Sequence, residues 1–249
     1  MHTCIYDDVK TMGRRAADIG IEAIREALAA RGEANVIVAT GASQFSMLEC
    51  LVAAKGIDWS KVSMFHLDEY VGMPVTHPAS FRKYLKERVA EKLPGLKKFE
   101  YVNGDAKPLE GEISRLNASI RQKPIDVAFI GIGENGHLAF NDPPADFETE
   151  SPYIVVNLDE KCRLQQVGEG WFSGLSEVPA QAISMSVKHI LKSKLIVCTV
   201  PDERKSLAVE MALAAPITPS APCSILRTHP NCYLVVDAPA ASRVLKKAR

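Results

Sequence analysis

The stretch Val36-Ile37-Val38-Ala39-Thr40-Gly41-Ala42-Ser43 passes from an apolar run straight into a small, polar turn. Short β-branched runs without polar alternation are typical of strands that are buried on both faces, as in a parallel sheet. Glycine among hydroxyl-bearing residues predicts a tight turn after the strand. The stretch therefore predicts a parallel strand whose carboxyl end opens into a loop, and a helix is expected over residues 45–54.

The same alternation extends along the chain. Apolar residues at steps of three and four from Val9 to Ala23 predict an amphipathic helix that ends near Gly32. Further segments are predicted as strands (62–67, 99–102, 125–130, 195–200, 233–236) or as helices (80–93, around 113–120, 203–214). Such alternation predicts a three-layer α/β fold, with a mostly parallel sheet and helices on both faces, of the Rossmann-like kind.

The domain organisation is predicted to be simple. No long linker, charge block or internal repeat divides the sequence, so a single domain over residues 1–249 is expected. The segment 142–177 has weaker periodicity and is expected to form loop or lid structure.

Composition limits the classes of partner. The chain carries 30 basic and 30 acidic residues, so its charge gives no reason to expect nucleic acid or an anionic membrane as partner. The six cysteines form no Cys-x-x-Cys pair, a pattern that favours free thiols in a reducing compartment. Neither a signal peptide nor a membrane-spanning run is evident. We therefore expect a cytoplasmic protein.

Three polar clusters follow predicted strands: residues 40–43, the pair Asp68-Glu69, and residues 134–142. In open parallel sheets, ligands bind in the crevice beyond the carboxyl ends of the strands. The three clusters are therefore expected to converge on one ligand site.

The first cluster suits an anion. Thr40, Gly41, Ala42 and Ser43 offer backbone N–H groups and hydroxyls at a predicted helix start, where the helix dipole also favours negative charge. The alternative is an ordinary turn in which Ser43 caps the helix. Lys205 is a second candidate phosphate contact, with an exposed surface lysine as its alternative.

The other two clusters suit acid–base chemistry. Adjacent carboxylates at Asp68 and Glu69 repel one another, which raises the pKa of at least one of them; the alternative is a helix cap or an ion pair. His137 lies in a glycine-rich loop, and Asp142 follows it as an orienting carboxylate. The alternative is a structural histidine. The spacing of His66 and His77 matches no common zinc pattern, so neither metal nor cofactor is predicted.

Two motifs resemble those of the glucosamine-6-phosphate deaminase (isomerase) family. The segment Leu67-Asp68-Glu69-Tyr70-Val71-Gly72-Met73-Pro74, with His77-Pro78 and Ser80 after it, resembles the family's Met-Asp-Glu-Tyr-Val-Gly-Leu-Pro…His-Pro-x-Ser motif. The segment Gly131-Ile132-Gly133-Glu134-Asn135-Gly136-His137-Leu138-Ala139-Phe140-Asn141-Asp142-Pro143 resembles its histidine loop. The motifs are specific, and their order and spacing agree with the family over most of the chain.

The resemblance implies roles for individual positions. Asp68 matches the family's general base, which moves a proton between C2 and C1 of the sugar. His137 matches the residue that opens the sugar ring, and Asn135 and Asp142 match its two partners. The residues implied to bind substrate or phosphate are Thr40, Gly41, Ala42, Ser43, Glu69, Gly136 and Lys205.

The implied reaction is the isomerisation and deamination of glucosamine 6-phosphate to fructose 6-phosphate and ammonia. A phosphorylated amino sugar would be the small-molecule partner, no cofactor is implied, and the protein is expected to be a monomer or a homo-oligomer.

The chain departs from the family pattern at three places. Gln44 follows the 40–43 turn where many members have proline, and Asp142 replaces a glutamate that is one methylene longer. Many members carry a phosphate-binding arginine before an aromatic pair, whereas this chain reads Gln165-Gln166-Val167-Gly168-Glu169-Gly170-Trp171-Phe172. Arg163 is the candidate to take that arginine's place; the alternative is that phosphate affinity is lower or that the substrate differs from glucosamine 6-phosphate.

Other activities fit parts of the pattern. A 6-phosphogluconolactonase would share the fold and a similar histidine loop, but Tyr70 and the run Leu138 to Asp142 favour the deaminase branch. Galactosamine 6-phosphate is an alternative substrate within the same chemistry. A sugar-phosphate sensor without catalytic activity is a third alternative.

Overall fold

The computed structural model describes residues 1–121 and 123–247. A seven-stranded sheet forms its centre, and every neighbouring pair of strands in it runs parallel. In spatial order its strands are β1 (His2–Tyr6), β10 (Cys232–Asp237), β9 (Ile196–Val200), β6 (Val127–Ile130), β2 (Ala34–Val38), β3 (Val62–His66) and β5 (Lys98–Glu100). The predicted α/β fold with a mostly parallel sheet is confirmed.

Helices cover the sheet, and the long amphipathic helix expected from the N-terminal pattern ends at a left-handed Gly32 cap. In chain order the α-helices of the described residues are α1 (Val9–Arg31), α2 (Phe45–Val52), α3 (Phe81–Arg88), α4 (Leu109–Ile120), α5 (Glu160–Gly168), α6 (Val187–Ile190), α7 (Ser206–Ala214) and α8 (Ser242–Lys247). Over the ranges that the structure describes, no helix is long and apolar enough to cross a membrane.

The apolar strands serve two cores at once. In β2 the side chain of Ile37 packs into one hydrophobic cluster, while Val36 and Val38 pack into the cluster on the opposite face. Successive side chains of a strand point to opposite faces, so a strand covered on both faces must be apolar throughout. This burial explains why the run Val36 to Val38 shows no polar alternation.

A second, smaller sheet stands beside the first. Its strands are β4 (Asp68–Tyr70), β7 (Tyr153–Asn157) and β8 (Gln181–Met185), and β8 pairs antiparallel with both neighbours. The sequence patterns did not predict this sheet. It matters for the site because its first residue is Asp68.

The prediction of loop or lid structure over residues 142–177 is wrong in part, because β7 and α5 lie within it. In β7, buried and more exposed residues alternate, from Tyr153 at 0% to Val155 at 40% exposure. A five-residue edge strand with one buried face carries too few apolar residues for its periodicity to be evident.

Candidate active site

A cleft of about 250 Å³ opens beyond the carboxyl ends of four parallel strands. Residues 40–43 reach it from β2, Leu67 and Asp68 from β3, residues 131–133 from β6, and Pro201 and Asp202 from β9. Helix α5 closes another side with Gln165, Gln166 and Glu169. The volume is below that of a typical drug-sized pocket and suits a small, polar ligand.

The 40–43 turn lies entirely along this cleft. Residues Ala42–Gln44 form a short 3-10 helix directly before α2, and no side chain caps it. Ser43 is therefore not a helix cap, and the alternative interpretation of the turn is wrong on this point. Backbone N–H groups and the hydroxyls of Thr40 and Ser43 are available for an anion.

Gln44 contacts the 40–43 turn from the buried side. Its buried Nε2 lies 2.7 Å from the Thr199 hydroxyl, 3.0 Å from the Ser43 hydroxyl and 3.2 Å from the Ile130 carbonyl, and its two protons are shared among these three acceptors. Because Ser43 Oγ accepts from Gln44, the Ser43 hydroxyl proton remains available to a ligand. The residue that replaces the family's proline thus orients a side chain of the turn.

Two cations, Lys205 and Arg204, line the same cleft. Lys205 is only 7% exposed, so the alternative of an exposed surface lysine is wrong, and its Nζ lies 3.7 Å from Oε1 of Glu169. Burial lowers the pKa of Lys205, although the neighbouring Glu169 opposes this effect. Arg204, which sequence reasoning missed, also lines the cleft and pairs with Asp202 at 3.0 Å.

Arg163 lies outside the cleft wall. Its guanidinium donates to the carbonyl of Leu175 at 2.7 Å and to that of Val178 at 2.8 Å, and the side chain is not part of the cleft wall. These hydrogen bonds connect helix α5 to residues 175–178. The structure therefore does not bring Arg163 together with the other predicted phosphate contacts.

Asp68 is a buried carboxylate of the cleft wall. It is 5% exposed, begins β4 opposite Ser184 and forms part of the cleft wall. Burial, together with the nearby charge of Glu69, raises the pKa of Asp68 to about 8. A carboxylate with so high a pKa is a much stronger base than an exposed aspartate, which suits it to remove a proton from carbon.

Glu69 points away from the cleft because neighbouring residues of a strand face opposite sides. Its carboxylate accepts hydrogen bonds from the Ser80 hydroxyl at 2.8 Å and from the backbone N–H groups of Arg82 (2.8 Å) and Tyr70 (3.0 Å). Burial raises the pKa of Glu69 to about 7, against the lowering effect of these donors. The carboxylate thus binds the first turn of α3, and the cap alternative applies to this residue.

His137 lines the same cleft as Asp68, and the two side chains do not lie in separate cavities. Its Nδ1 lies 3.1 Å from Oδ1 of Asp142, and its backbone N–H donates to the Asn135 side-chain oxygen at 3.0 Å. Asn135 in turn donates to Asp142 Oδ1 at 2.9 Å. Burial favours the protonated form of Asp142, yet the contacts with His137 and Asn135 outweigh it and leave the pKa lowered. Asp142 is therefore an ionised partner for the imidazole.

Two glycines shape the loop that carries this histidine. A Cβ added at Gly133 would lie 2.1 Å from the His137 ring, so only glycine lets the ring pack there. Gly136 has φ +88°, a left-handed conformation that favours glycine, and it is not part of the cleft wall. Gly136 is therefore placed as a turn residue behind the site rather than against a ligand.

Asp159 is a member of the histidine network that the sequence patterns missed. Its Oδ2 accepts from Asn135 at 3.1 Å, and its backbone N–H donates to Asp142 Oδ2 at 3.0 Å. It also caps α5 by accepting from the Cys162 N–H at 2.6 Å. An aspartate that precedes a helix is a recognisable signal, but residues 142–177 were expected to be loop or lid.

One group of side chains has metal-ligand chemistry among the residues that the structure describes. The ligand atoms of His137, Asp142 and Cys162 lie within 4.8 Å of one another. Burial, followed by the charges of Asp142 and Asp159, raises the pKa of the Cys162 thiol far above its usual range, and metals bind the thiolate. Without a bound metal the Cys162 thiol is therefore protonated.

Comparison with known proteins places this arrangement in a family. Residues 7–234 match the family model described as glucosamine-6-phosphate isomerases/6-phosphogluconolactonase. A glucosamine-6-phosphate deaminase of Streptococcus uberis is 34% identical over 226 residues, which cover 91% of this chain and 94% of the relative. One from Lactobacillus delbrueckii subsp. bulgaricus is 28% identical, with 97% and 99% covered.

Solved structures agree. A monomeric glucosamine-6-phosphate deaminase superposes with a TM-score of 0.86 at 27% identity, covering 97% of this chain and 99% of that one. A 6-phosphogluconolactonase of Shewanella baltica gives a TM-score of 0.77 at 20% identity, with 95% and 97% covered, a likeness that shows the shared fold alone. The resemblance noted in the two sequence motifs is thereby confirmed, and the chain belongs to the family of glucosamine-6-phosphate isomerases and 6-phosphogluconolactonases.

Proposed function

We propose that this protein converts glucosamine 6-phosphate and water to fructose 6-phosphate and ammonia. The observation that carries the proposal is that Asp68, His137 and the 40–43 turn line a single small cleft. Relatives that match almost the whole chain are named for this activity. The reaction needs a base, a proton relay and an anion site, and all three can face one molecule here.

Ring opening is assigned to His137. The imidazole carries a proton between the ring oxygen O5 and the hydroxyl at C1, which opens the closed sugar to its aldehyde. Asp142 contacts Nδ1 and so fixes the orientation of the ring. Asn135 and Asp159 hold Asp142 in turn.

Isomerisation and deamination follow at C2. Asp68 removes the C2 proton, which the neighbouring aldehyde acidifies, and returns it to C1. The carbon–nitrogen bond at C2 thereby becomes an imine, water adds to it, and ammonia leaves as the ketone forms. Asp68 is thus assigned to the proton transfer between carbons, and His137 to the transfer between the ring oxygen and the hydroxyl at C1.

The phosphate is assigned to the 40–43 turn and Lys205, which together offer backbone N–H groups, hydroxyls and one cation. Arg163 is not assigned a contact, because its guanidinium is occupied by the Leu175 and Val178 carbonyls. We also propose a cytoplasmic location, which the six free cysteines support.

The test is a substrate panel with the purified protein. Glucosamine 6-phosphate, galactosamine 6-phosphate and 6-phosphogluconolactone are incubated separately, and ammonia, ketose phosphate and lactone hydrolysis are followed. We expect ammonia and fructose 6-phosphate in equal amounts from the gluco substrate. Lactone hydrolysis without ammonia release, or binding of the amino sugar without turnover, would contradict the proposal.

A further inference from the structure

The two cations of the cleft are each paired with a carboxylate. Nζ of Lys205 lies 3.7 Å from Glu169, and Nη2 of Arg204 lies 3.0 Å from Asp202. The Arg204 pair is about half exposed, whereas the side chains of Lys205 and Glu169 are 8% and 11% exposed. The buried pair therefore places one positive and one negative charge side by side in the cleft wall.

Neighbouring donors hold Glu169 in this position. Its Oε1 accepts a hydrogen bond from Gln165 Nε2 at 2.8 Å, and its Oε2 accepts from Trp171 Nε1 at 3.3 Å. Gln165 is itself fixed, since its side-chain oxygen accepts from the Glu134 backbone N–H at 2.9 Å. The carboxylate is thus part of a built network and not a surface side chain that happens to lie nearby.

This arrangement places negative charge where a phosphate must bind. Glu169 forms part of the same cleft wall as the 40–43 turn and Lys205. A phosphate oxygen within hydrogen-bond distance of the lysine would be a few ångströms from the carboxylate, and like charges repel strongly where water is largely excluded. The lysine would then be shared between two anions.

We propose that Glu169 competes with the substrate's phosphate for Lys205 and thereby keeps phosphate affinity low. The identity of the substrate rests on the function proposed above, whereas the competition itself needs only an anion at the subsite. The affinity of the whole substrate then depends more on contacts with the sugar than on its phosphate.

The experiment removes the charge of Glu169. Dissociation constants for inorganic phosphate are measured by calorimetry for wild type, Glu169→Gln and Glu169→Ala, with Glu160→Gln as matched control because Glu160 lies exposed on the same helix. We expect both Glu169 variants to bind phosphate about tenfold or more tightly, since Lys205 is then no longer shared between the ligand and a carboxylate. The control should equal wild type.

A second set of variants, made in Lys205→Gln protein, tests the role of Lys205. In Lys205→Gln protein, the further change Glu169→Gln should give a much smaller gain, because the group for which the two anions compete is gone. With glucosamine 6-phosphate, Glu169→Gln should lower KM more than it changes kcat.

Unchanged or weaker phosphate binding in folded Glu169→Gln and Glu169→Ala would overturn the inference, and so would an equal gain in the Lys205→Gln background. Because inorganic phosphate is the probe, these results stand whether or not the protein turns over the amino sugar. A failure of the proposed function therefore remains distinguishable from a failure of this inference.

Discussion

Nδ1 of His137 lies 3.1 Å from Oδ1 of Asp142, although this carboxylate is one methylene shorter than the glutamate common at its position. The contact has the distance of an ion pair without the angle of a straight hydrogen bond. Asn135 and the Asp159 backbone hold the carboxylate from its other sides. The short side chain thus reaches the imidazole because the loop and the start of α5 bring it close.

Asp142→Asn should lower turnover by about 10²-fold, because general acid–base groups contribute about 10²–10⁴-fold and the imidazole would lose its ionised partner. Ammonia release from glucosamine 6-phosphate measures the effect. Asp18→Asn, which changes an exposed carboxylate of α1, is the control. Turnover equal to that of the control would remove Asp142 from the relay.

The pH dependence of kcat/KM should report the ionisation of Asp68. Asp68 must be ionised to accept a proton, and its pKa is raised to about 8, so kcat/KM should rise with pH, reach half of its maximum near pH 8 and level off about one pH unit higher. Glu69→Gln removes a charge that raises the Asp68 pKa, so the rising limb should move to lower pH. A limb that stays in place in this variant would contradict the coupling between the two carboxylates.

Much of this arrangement follows from sequence patterns. The parallel strands are predictable because strands buried on both faces must be apolar throughout, as Val36 to Val38 are. The position of Asp68 and His137 near one edge follows from the rule that the carboxyl ends of parallel strands share an edge.

The remaining features depend on contacts that no local pattern contains. The strand β4 has only three residues, and β7 is half-exposed, so neither gives a clear periodic signal. Arg163 was expected at the phosphate because of its place in the chain, yet carbonyls of the following segment bind it. The pairing of Glu169 with Lys205 joins residues from two separate helical segments, and only the fold reveals it.

The raised pKa of Asp68 also predicts a stability effect. Between pH 4 and 8 the unfolded chain has lost the Asp68 proton while the folded chain keeps it, so this group destabilises the fold increasingly as pH rises. Relative to wild type, Asp68→Asn should therefore gain stability from pH 5 to pH 8, on the order of a few kcal/mol. Urea unfolding at several pH values measures it, and a pH-independent difference would argue against the raised pKa.

Gly133→Ala should disable the site. The added methyl would overlap the His137 ring, with 2.1 Å to its nearest atom, so the ring or the loop must move. We expect at least a 10²-fold loss of turnover, the scale of losing a placed acid–base group. Gly174→Ala is the control, because a Cβ there would meet nothing within 4 Å. Near wild-type activity in Gly133→Ala would show that the ring position is not required.

The most direct test of the central claim is the turnover of Asp68→Asn with glucosamine 6-phosphate. If Asp68 is the base that faces the same molecule as His137 and the 40–43 turn, ammonia release should fall by about 10²–10⁴-fold, while the folded variant still binds the sugar phosphate in calorimetry. Ammonia release within twofold of wild type would contradict this account of the site.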